Sequence, residues 1–234
     1  MGKKFRTLAV IPARQGSKSL KNKNIKLLNG KPLLCYSIEY SLKSNLIDKT
    51  VVSTDSEHYA NISKQCGADV PFLRPEDISG DDVQDYPVIK HALDFFDSKG
   101  EFYDLVVLLR PTSPLRPSGL IEKAYEIFEK NPDTSSVRSV TKIKEHPFRA
   151  WEMTNDRTIV GYERGIYEPY NLPRQVLPEL YFQTGDIEVI SRETLINGSV
   201  SGTKIRPIVI NYSEMIDIDD ASDFLAAEKY VIQN

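Results

Sequence analysis

The stretch Thr7-Leu-Ala-Val-Ile-Pro-Ala-Arg-Gln-Gly-Ser-Lys-Ser-Leu-Lys-Asn-Lys-Asn24 joins an apolar segment directly to a basic loop. Its first part, Thr7–Pro12, has the apolar character of a strand that is buried on both faces. The loop after it offers backbone N–H groups, hydroxyls and four cations, which are the groups that bind polyphosphate oxygens. The alternative is a solvated basic loop. The loop has neither the paired glycines of a Walker A motif nor a G-x-G-x-x-G dinucleotide fingerprint.

The charge of the chain is unevenly distributed along its 234 residues, although its formal net charge is only -3. Residues 1–31 hold nine basic side chains and no acidic one, so the remainder is strongly acidic. This bias draws attention to the first loop. It does not indicate a nucleic-acid partner, which would need basic groups spread over a surface.

Several protein classes are excluded by the same sequence. Its apolar stretches are the length of strands, shorter than the ~20 residues that a membrane-spanning helix needs, and nothing resembles a signal peptide. We therefore expect a cytoplasmic protein with no membrane partner.

Cys35 and Cys66 lie 31 residues apart without the spacing of a zinc site. We expect both to be reduced core residues, as cysteines usually are in the cytosol.

Strands alternate with helices through the first half of the chain. This alternation predicts an α/β fold, a doubly wound and mostly parallel sheet, in a single domain that spans residues 1–234. Frequent glycines, prolines and aromatic residues over about 142–182 predict a hairpin-rich insertion that serves as a sugar lid or a dimer contact. The predicted strands are Thr7–Pro12, Lys49–Ser53, Val70–Leu73, Asp104–Leu109, Asp186–Ile190 and Lys204–Ile210. The predicted helices are Pro32–Leu42, Ser56–Cys66, Tyr86–Phe96, Pro117–Lys130 and Asp219–Val231.

Six motifs, in order over more than 200 residues, carry a resemblance to a known family. The chain resembles the CMP-nonulosonic acid cytidylyltransferases, which include N-acylneuraminate cytidylyltransferase (CMP-sialic acid synthetase). This resemblance implies a Rossmann-like nucleotidyltransferase, a homodimer that uses Mg²⁺, CTP and a small acidic sugar. The motifs are Pro12–Ser19 with Lys23-Asn24, Val52–Asp55, Leu73–Pro75 with Asp81, Pro111–Arg116, Pro173–Gln175 and Asp217–Asp219.

The resemblance assigns the nucleotide-binding residues to the first half of the chain. Arg14 and Lys18 are implied to be catalytic, because they would neutralise charge near the α-phosphate. Arg74 would lie beside the base or ribose, although from the sequence alone it could equally be a surface residue. We expect Asp55 to cap the helix that follows it. The whole set implied for the nucleotide is Ala13, Arg14, Ser17, Lys18, Lys23, Asn24, Arg74 and Asp81.

The sugar site is where the chain departs from the sialic acid enzymes. Arg110 stands where they commonly have Gln, and it could grip a carboxylate or pair with an acidic neighbour. Arg149 stands where they typically show Lys. Gln183, in Phe182–Asp186, is interpreted as replacing a cation in the sugar pocket. The residues implied for the sugar are Arg110, Thr112, Ser113, Arg149, Arg174 and Gln183.

Asp217 and Asp219 alternate with Ile216 and Ile218 near the C-terminus. On an extended segment both carboxylates point the same way, and the isoleucines point into the core. Carboxylate oxygens suit Mg²⁺, which also bridges to phosphates. The resemblance makes the pair catalytic metal ligands. The alternative is helix capping by Asp219 or Asp220, which need not exclude a metal.

The predicted function is transfer of a cytidylyl group from CTP to a sialic-acid-like nonulosonic acid. No side chain stands out as a dedicated base. One alternative is a nucleotidyltransferase for another sugar, such as Kdo or a sugar phosphate. Another is a non-catalytic, nucleotide-binding regulatory subunit.

Overall fold

A computed structural model describes residues 3–16 and 20–233. The strands are β1 (Thr7–Pro12), β2 (Leu27–Leu28), β3 (Lys31–Pro32), β4 (Lys49–Ser53), β5 (Leu105–Leu108), β6 (Ser136–Lys142), β7 (Trp151–Met153), β8 (Ile159–Gly161), β9 (Tyr181–Ser191) and β10 (Ile205–Val209). The helices are α1 (Leu33–Leu42), α2 (Glu57–Gln65), α3 (Asp85–Asp97), α4 (Leu120–Lys130), α5 (Arg192–Ile196) and α6 (Ala221–Gln233).

The central sheet has six strands in the order β10-β6-β9-β5-β1-β4. Neighbouring strands pair in parallel except at β9, which runs antiparallel to both β5 and β6. The sheet is thus mostly parallel, and the prediction of a doubly wound α/β fold is confirmed. The carboxyl ends of β1, β4 and β5 lie at one edge, where such folds bind ligands.

Alternate residues of β1 and β5 face opposite sides of the sheet. Ile11 and Val107 pack into a core with α1 and α4, whereas Val10 and Leu108 pack into a second core with α3. All four side chains are at most 1% exposed. Burial on both faces explains why the sequences of these strands are continuously apolar.

One predicted strand is wrong, and one strand of the central sheet was missed. Val70–Leu73 forms no strand. The chain pairs with the sheet only just before this segment, through a single β-bridge between Asp69 and Val51. Phe72 then packs against α3, where its ring lies 4.6 Å from that of His91. The missed strand, β6, carries polar side chains at five of its seven positions and has no apolar run.

The segment 142–182 contains the hairpin of β7 and β8 and three short 3-10 turns at Pro147–Arg149, Pro169–Asn171 and Arg174–Val176. Its apolar side chains are largely exposed: Met153 is 71% and Tyr167 89% accessible. Among the helices of the described residues, none combines the length and the apolar character needed to cross a membrane.

The two cysteines form a disulfide, so the expectation of reduced thiols is wrong in this structure. Cys35 lies on α1, and Cys66 caps the C-terminal end of α2. The two helices lie side by side and bring the Cα atoms to 5.6 Å, which is within disulfide range. A separation of 31 residues in the sequence gave no sign of this contact.

Cys66→Ser is therefore expected to destabilise the oxidised protein. A cross-link that closes a loop of this length contributes about 3 kcal/mol, mainly by restricting the unfolded chain. Urea unfolding without reductant should show the variant less stable than the parent, and dithiothreitol should remove the difference. Equal stability in both conditions would show that the thiols are reduced in solution.

Candidate active site at the carboxyl ends of the strands

Loops that leave the carboxyl ends of β1, β4 and β5 enclose a cleft of about 220 Å³. Since parallel strands end at the same edge, residues far apart in sequence meet there. The cleft brings together six of the predicted site residues, Arg14, Lys23, Asn24, Arg74, Arg110 and Thr112. Pro12, Gly80, Val83, Asp85, Val88 and Pro111 complete its lining.

The first loop is held in place by its backbone. Asn24 is 8% exposed, and its amide donates a 3.0 Å hydrogen bond to the carbonyl of Arg14. The N–H of Ala13 donates to the carbonyl of Ser53, so this N–H is not available to a ligand. The Arg14 guanidinium lies 2.5 Å from Oδ1 of Asp81. The loop thus presents an oriented cation to the cleft. Ser17 and Lys18, also predicted for the nucleotide, lie outside the described residues.

Asp55 does not cap α2, contrary to the prediction. Ser56 is the capping residue and accepts a hydrogen bond from the N–H of Tyr59. Asp55 instead accepts a 2.7 Å hydrogen bond from the N–H of Gln15. It therefore ties the end of β4 to the basic loop.

Arg74 is a buried residue of the cleft, and the alternative of a surface position is wrong. It is 6% exposed, and its Nε and Nη2 donate to the Oγ and the carbonyl of Ser53 at 3.1 and 2.5 Å. Burial lowers the pKa of Arg74 to about 10, which leaves it protonated near neutral pH. A fixed, weakly solvated cation of this kind suits a polar ligand.

Lys23 links the N-terminal loop to the C-terminal aspartates. Its Nζ donates a 3.0 Å hydrogen bond to the carbonyl of Ile218 and lies 3.7 Å from Oδ1 of Asp219. On the other side, the N–H of Ile218 donates to the carbonyl of Thr112. The segment with the paired aspartates is therefore fixed between the basic loop and the loop after β5.

The aspartates have the predicted alternation. Ile218 is fully buried, Ile216 packs against the same core cluster, and Asp217 and Asp219 are exposed. Ser113 donates a 3.4 Å hydrogen bond to Oδ1 of Asp217. In the described part of the chain, no group of three or more His, Cys, Asp or Glu forms a complete metal cage. Two carboxylates nevertheless fit Mg²⁺, which usually takes one or two from the protein and completes its shell with water and phosphate.

Asp220 caps the N-terminal end of α6. Its Oδ1 accepts hydrogen bonds from the N–H groups of Ser222 at 2.7 Å and Asp223 at 3.1 Å. Asp217 and Asp219 do not share in these capping bonds. Capping by Asp220 therefore does not exclude metal binding by Asp217 and Asp219.

Arg110 forms the acidic pairing that was one of its two interpretations. Its guanidinium lies 2.5 Å from Asp85 and 2.7 Å from Glu188. Gln183 bonds to the same Glu188 at 3.1 Å and accepts from Arg138 at 2.6 Å. Arg110 and Gln183, both predicted for the sugar, are thus joined through a buried carboxylate.

The structure separates the other two predicted sugar residues from the cleft. Arg149 and Arg174 lie in the insertion and line a different cavity of about 550 Å³, with Lys142, Lys144 and His146. Arg149 donates to the carbonyl of Leu172. Within one chain, these cations are not part of the strand-end site.

Arg116 was not singled out by the sequence, although it is 8% exposed and makes three hydrogen bonds. Its guanidinium donates to the carbonyls of Asp186 and Arg110 and to the hydroxyl of Ser37. Burial lowers the pKa of Arg116 to about 10. Arg116 fixes the loop after β5. In the sequence, the repeated prolines around it were the only sign of a loop with a fixed conformation.

Gly185 was also not predicted, and it sits directly against the aspartate pair. A Cβ atom there would lie 2.5 Å from Oγ of Ser113 and 3.4 Å from Oδ2 of Asp217. Its neighbour Asp186 is 1% exposed, and burial raises the pKa of that carboxyl. The close approach of β9 to Ser113, which bonds to Asp217, thus favours glycine.

Comparison with known proteins shows the family to which this chain is related. A family model described as Cytidylyltransferase matches residues 8–213. The chain is 36% identical to CMP-N,N'-diacetyllegionaminic acid synthase of Legionella pneumophila over 98% of each chain. It is 34% identical to N-acylneuraminate cytidylyltransferase of Escherichia coli O18:K1:H7 over 93% of its own length, but spans only 50% of that protein.

A solved structure of CMP:2-keto-3-deoxy-manno-octonic acid synthetase complexed with CTP shares the fold. Its TM-score is 0.73 at 16% identity, over 97% of this chain and 99% of that one. At this identity the likeness concerns the fold alone. The family model covers most of the chain. The chain therefore belongs to the cytidylyltransferase family, as its resemblance to the nonulosonic acid cytidylyltransferases predicted.

Proposed function

We propose that this protein transfers a cytidylyl group from CTP to a nonulosonic acid and releases pyrophosphate. The observation that carries the proposal is the meeting of the basic loop with the aspartate pair, through Lys23 and Asp219 at 3.7 Å. Cations for a triphosphate and carboxylates for a metal then lie at one strand edge. The synthase from Legionella, similar over its whole length, supports the substrate class.

In the proposed reaction, a hydroxyl oxygen of the sugar forms a bond to the α-phosphorus of CTP. The bond from that phosphorus to pyrophosphate breaks, and the hydroxyl proton is lost to solvent. Arg14, Lys18 and Lys23 neutralise phosphate charge, while Arg74 lies on the side of the base and ribose. Catalysis then consists of positioning and charge stabilisation, as in other phosphoryl transfers.

Asp217 and Asp219 are the proposed ligands of a divalent ion, Mg²⁺. When bound, the ion would supply positive charge to the phosphate oxygens. Ser113 and Lys23 orient the two carboxylates from either side. Because CTP is a cytoplasmic metabolite, this reaction would place the protein in the cytoplasm.

A homodimer is proposed from the exposed face of the insertion. Met153, Tyr162 and Tyr167 are 71%, 67% and 89% accessible. Exposed apolar side chains of this number in one segment are typical of contacts between proteins. In such a dimer, Arg149 and Arg174 of one copy would approach the sugar that is bound at the strand-end site of the other copy. Sedimentation velocity should give the mass of a dimer, and a monomer at micromolar concentration would contradict the proposal.

Pyrophosphate release tests the proposed function. CTP and Mg²⁺ are incubated with a panel of legionaminic, sialic and pseudaminic acids, with Kdo and a sugar phosphate alongside. Release with a nonulosonic acid and formation of its CMP derivative are expected. Release with only Kdo or a sugar phosphate would favour another sugar nucleotidyltransferase. Binding of CTP without release would favour the regulatory subunit.

A further inference from the structure

The face of the sheet that packs on α3 carries a cluster of ionised side chains. Glu188 on β9 is paired in register with Arg138 on β6 and with Leu108 on β5. Leu108 and Ile190 both pack into the α3 core. Because every second side chain of a strand points to the same face, Glu188 is on this face as well. Arg110, two residues beyond Leu108, reaches the same side. Asp85, the first residue of α3, completes the cluster.

Glu188 is the centre of this cluster. Its side chain is 2% exposed; Oε1 lies 2.7 Å from Arg110, and Oε2 lies 3.1 Å from Arg138. The amide of Gln183 donates to Oε1 at 3.1 Å. Arg138 is further fixed by Gln183 and by a 2.9 Å bond to the hydroxyl of Ser201. A buried carboxylate with three donors sets the positions of both guanidinium groups.

The charges of the cluster cancel. Two arginines face two carboxylates, Asp85 and Glu188, and Arg110 lies between the carboxylates. Arg110 is therefore not an unpaired cation that would grip the carboxylate of a sugar. Removing the buried anion alone would leave two cations without their shared partner, which is costly in a low-dielectric site.

A second cleft, of about 260 Å³, opens beside this cluster. Asp85 and Arg110 line both this cleft and the cleft with Arg14 and Lys23, so their ion pair forms the wall between the two. The second cleft is rich in hydrogen-bonding groups. Its remaining lining is Gln84, Tyr86, Arg138, Gln183, Glu188, Val200 and Ser201.

We propose that this second cleft is a specificity subsite for an uncharged, hydrogen-bonding substituent of the sugar, such as an acylamino group. Glu188 is its positioning residue, because it holds Arg110, Arg138 and Gln183 and keeps the site neutral. The inference rests on the proposed function. The sugar in the name of the Legionella relative carries two N-acetyl groups, which is the kind of substituent that such a cleft would take.

The test is Glu188→Gln, which keeps the size of the side chain and removes its charge. The KM for an N-acylated nonulosonic acid should rise by about 10-fold or more, since charge-assisted bonds contribute about 1.5–3 kcal/mol. The KM for CTP should change by less than about 3-fold, because the nucleotide groups lie across the wall. Gln183→Leu, at an exposed position, should raise the same sugar KM without threatening the fold.

Asp97→Asn is the matched control. Asp97 accepts two bonds from Arg192, at 2.8 and 2.7 Å, and lies at the opposite end of α3. The substitution should leave both KM values unchanged. Its effect on stability measures the cost of removing the carboxylate charge from an ion pair with arginine. If the parent turns over and both cleft variants keep the parental sugar KM, the subsite is refuted and the proposed function stands. If the parent turns over no nonulosonic acid, the proposed function fails and the inference falls with it.

Discussion

Asp217→Asn is expected to lower kcat by about 100-fold or more at saturating CTP and sugar. The substitution keeps the size of the side chain and the acceptor for Ser113, but it removes the negative charge that a hard divalent cation requires. Asp219→Asn should act similarly, because its carboxylate is the other half of the exposed pair. Initial rates over a range of Mg²⁺ concentrations measure the effect.

The concentration dependence separates loss of metal from loss of structure. Both variants should need more Mg²⁺ for half-maximal rate, and thermal unfolding without metal should match the parent. Asp133→Asn is a matched control, since Asp133 is also paired with cations, Lys204 and Arg206, but lies before β6. A parental Mg²⁺ requirement in both site variants would remove the aspartates from the metal site.

The fold was predictable where the sheet is buried on both faces. β1 and β4 begin and end where their apolar runs predicted, at Thr7–Pro12 and Lys49–Ser53. β6 was missed because five of its seven residues are polar, and one of them, Arg138, is directed to a buried carboxylate and not to an apolar core. Apolar periodicity detects packing against apolar neighbours, and it does not detect a strand whose partner is a buried ion pair.

The site was predictable where one loop carries it. The basic loop and the alternation at Asp217 and Asp219 are local patterns, and the structure places both at the same strand edge. Glu188 lies in a strand with no unusual sequence pattern, and the two arginines that it binds, Arg138 and Arg110, are 50 and 78 residues away in the sequence. The disulfide of Cys35 likewise depends on how two helices pack. Contacts of this kind follow from the topology and are not visible in any window of the sequence.

Arg14→Ala is expected to lower kcat by about 100-fold, the cost of removing one group that stabilises charge in the transition state. Arg14 follows the end of β1, where the triphosphate is proposed to bind, and its guanidinium is oriented by Asp81 at 2.5 Å. The loop itself should keep its conformation, because Asn24 binds the backbone carbonyl of residue 14 and not its side chain.

Arg14→Lys tests whether charge or shape matters. Lysine keeps the charge but lacks the planar fork of guanidinium, so turnover should lie between that of the parent and that of the alanine variant. Arg206→Ala, on the edge strand β10, removes another ion-paired arginine and should retain parental turnover. Turnover of Arg14→Ala within a few-fold of the parent would mean that this cation does not act on the reacting phosphate. Charge neutralisation would then have to come from two other cations of the cleft, Lys23 and Arg74, whose side chains are held by backbone carbonyls.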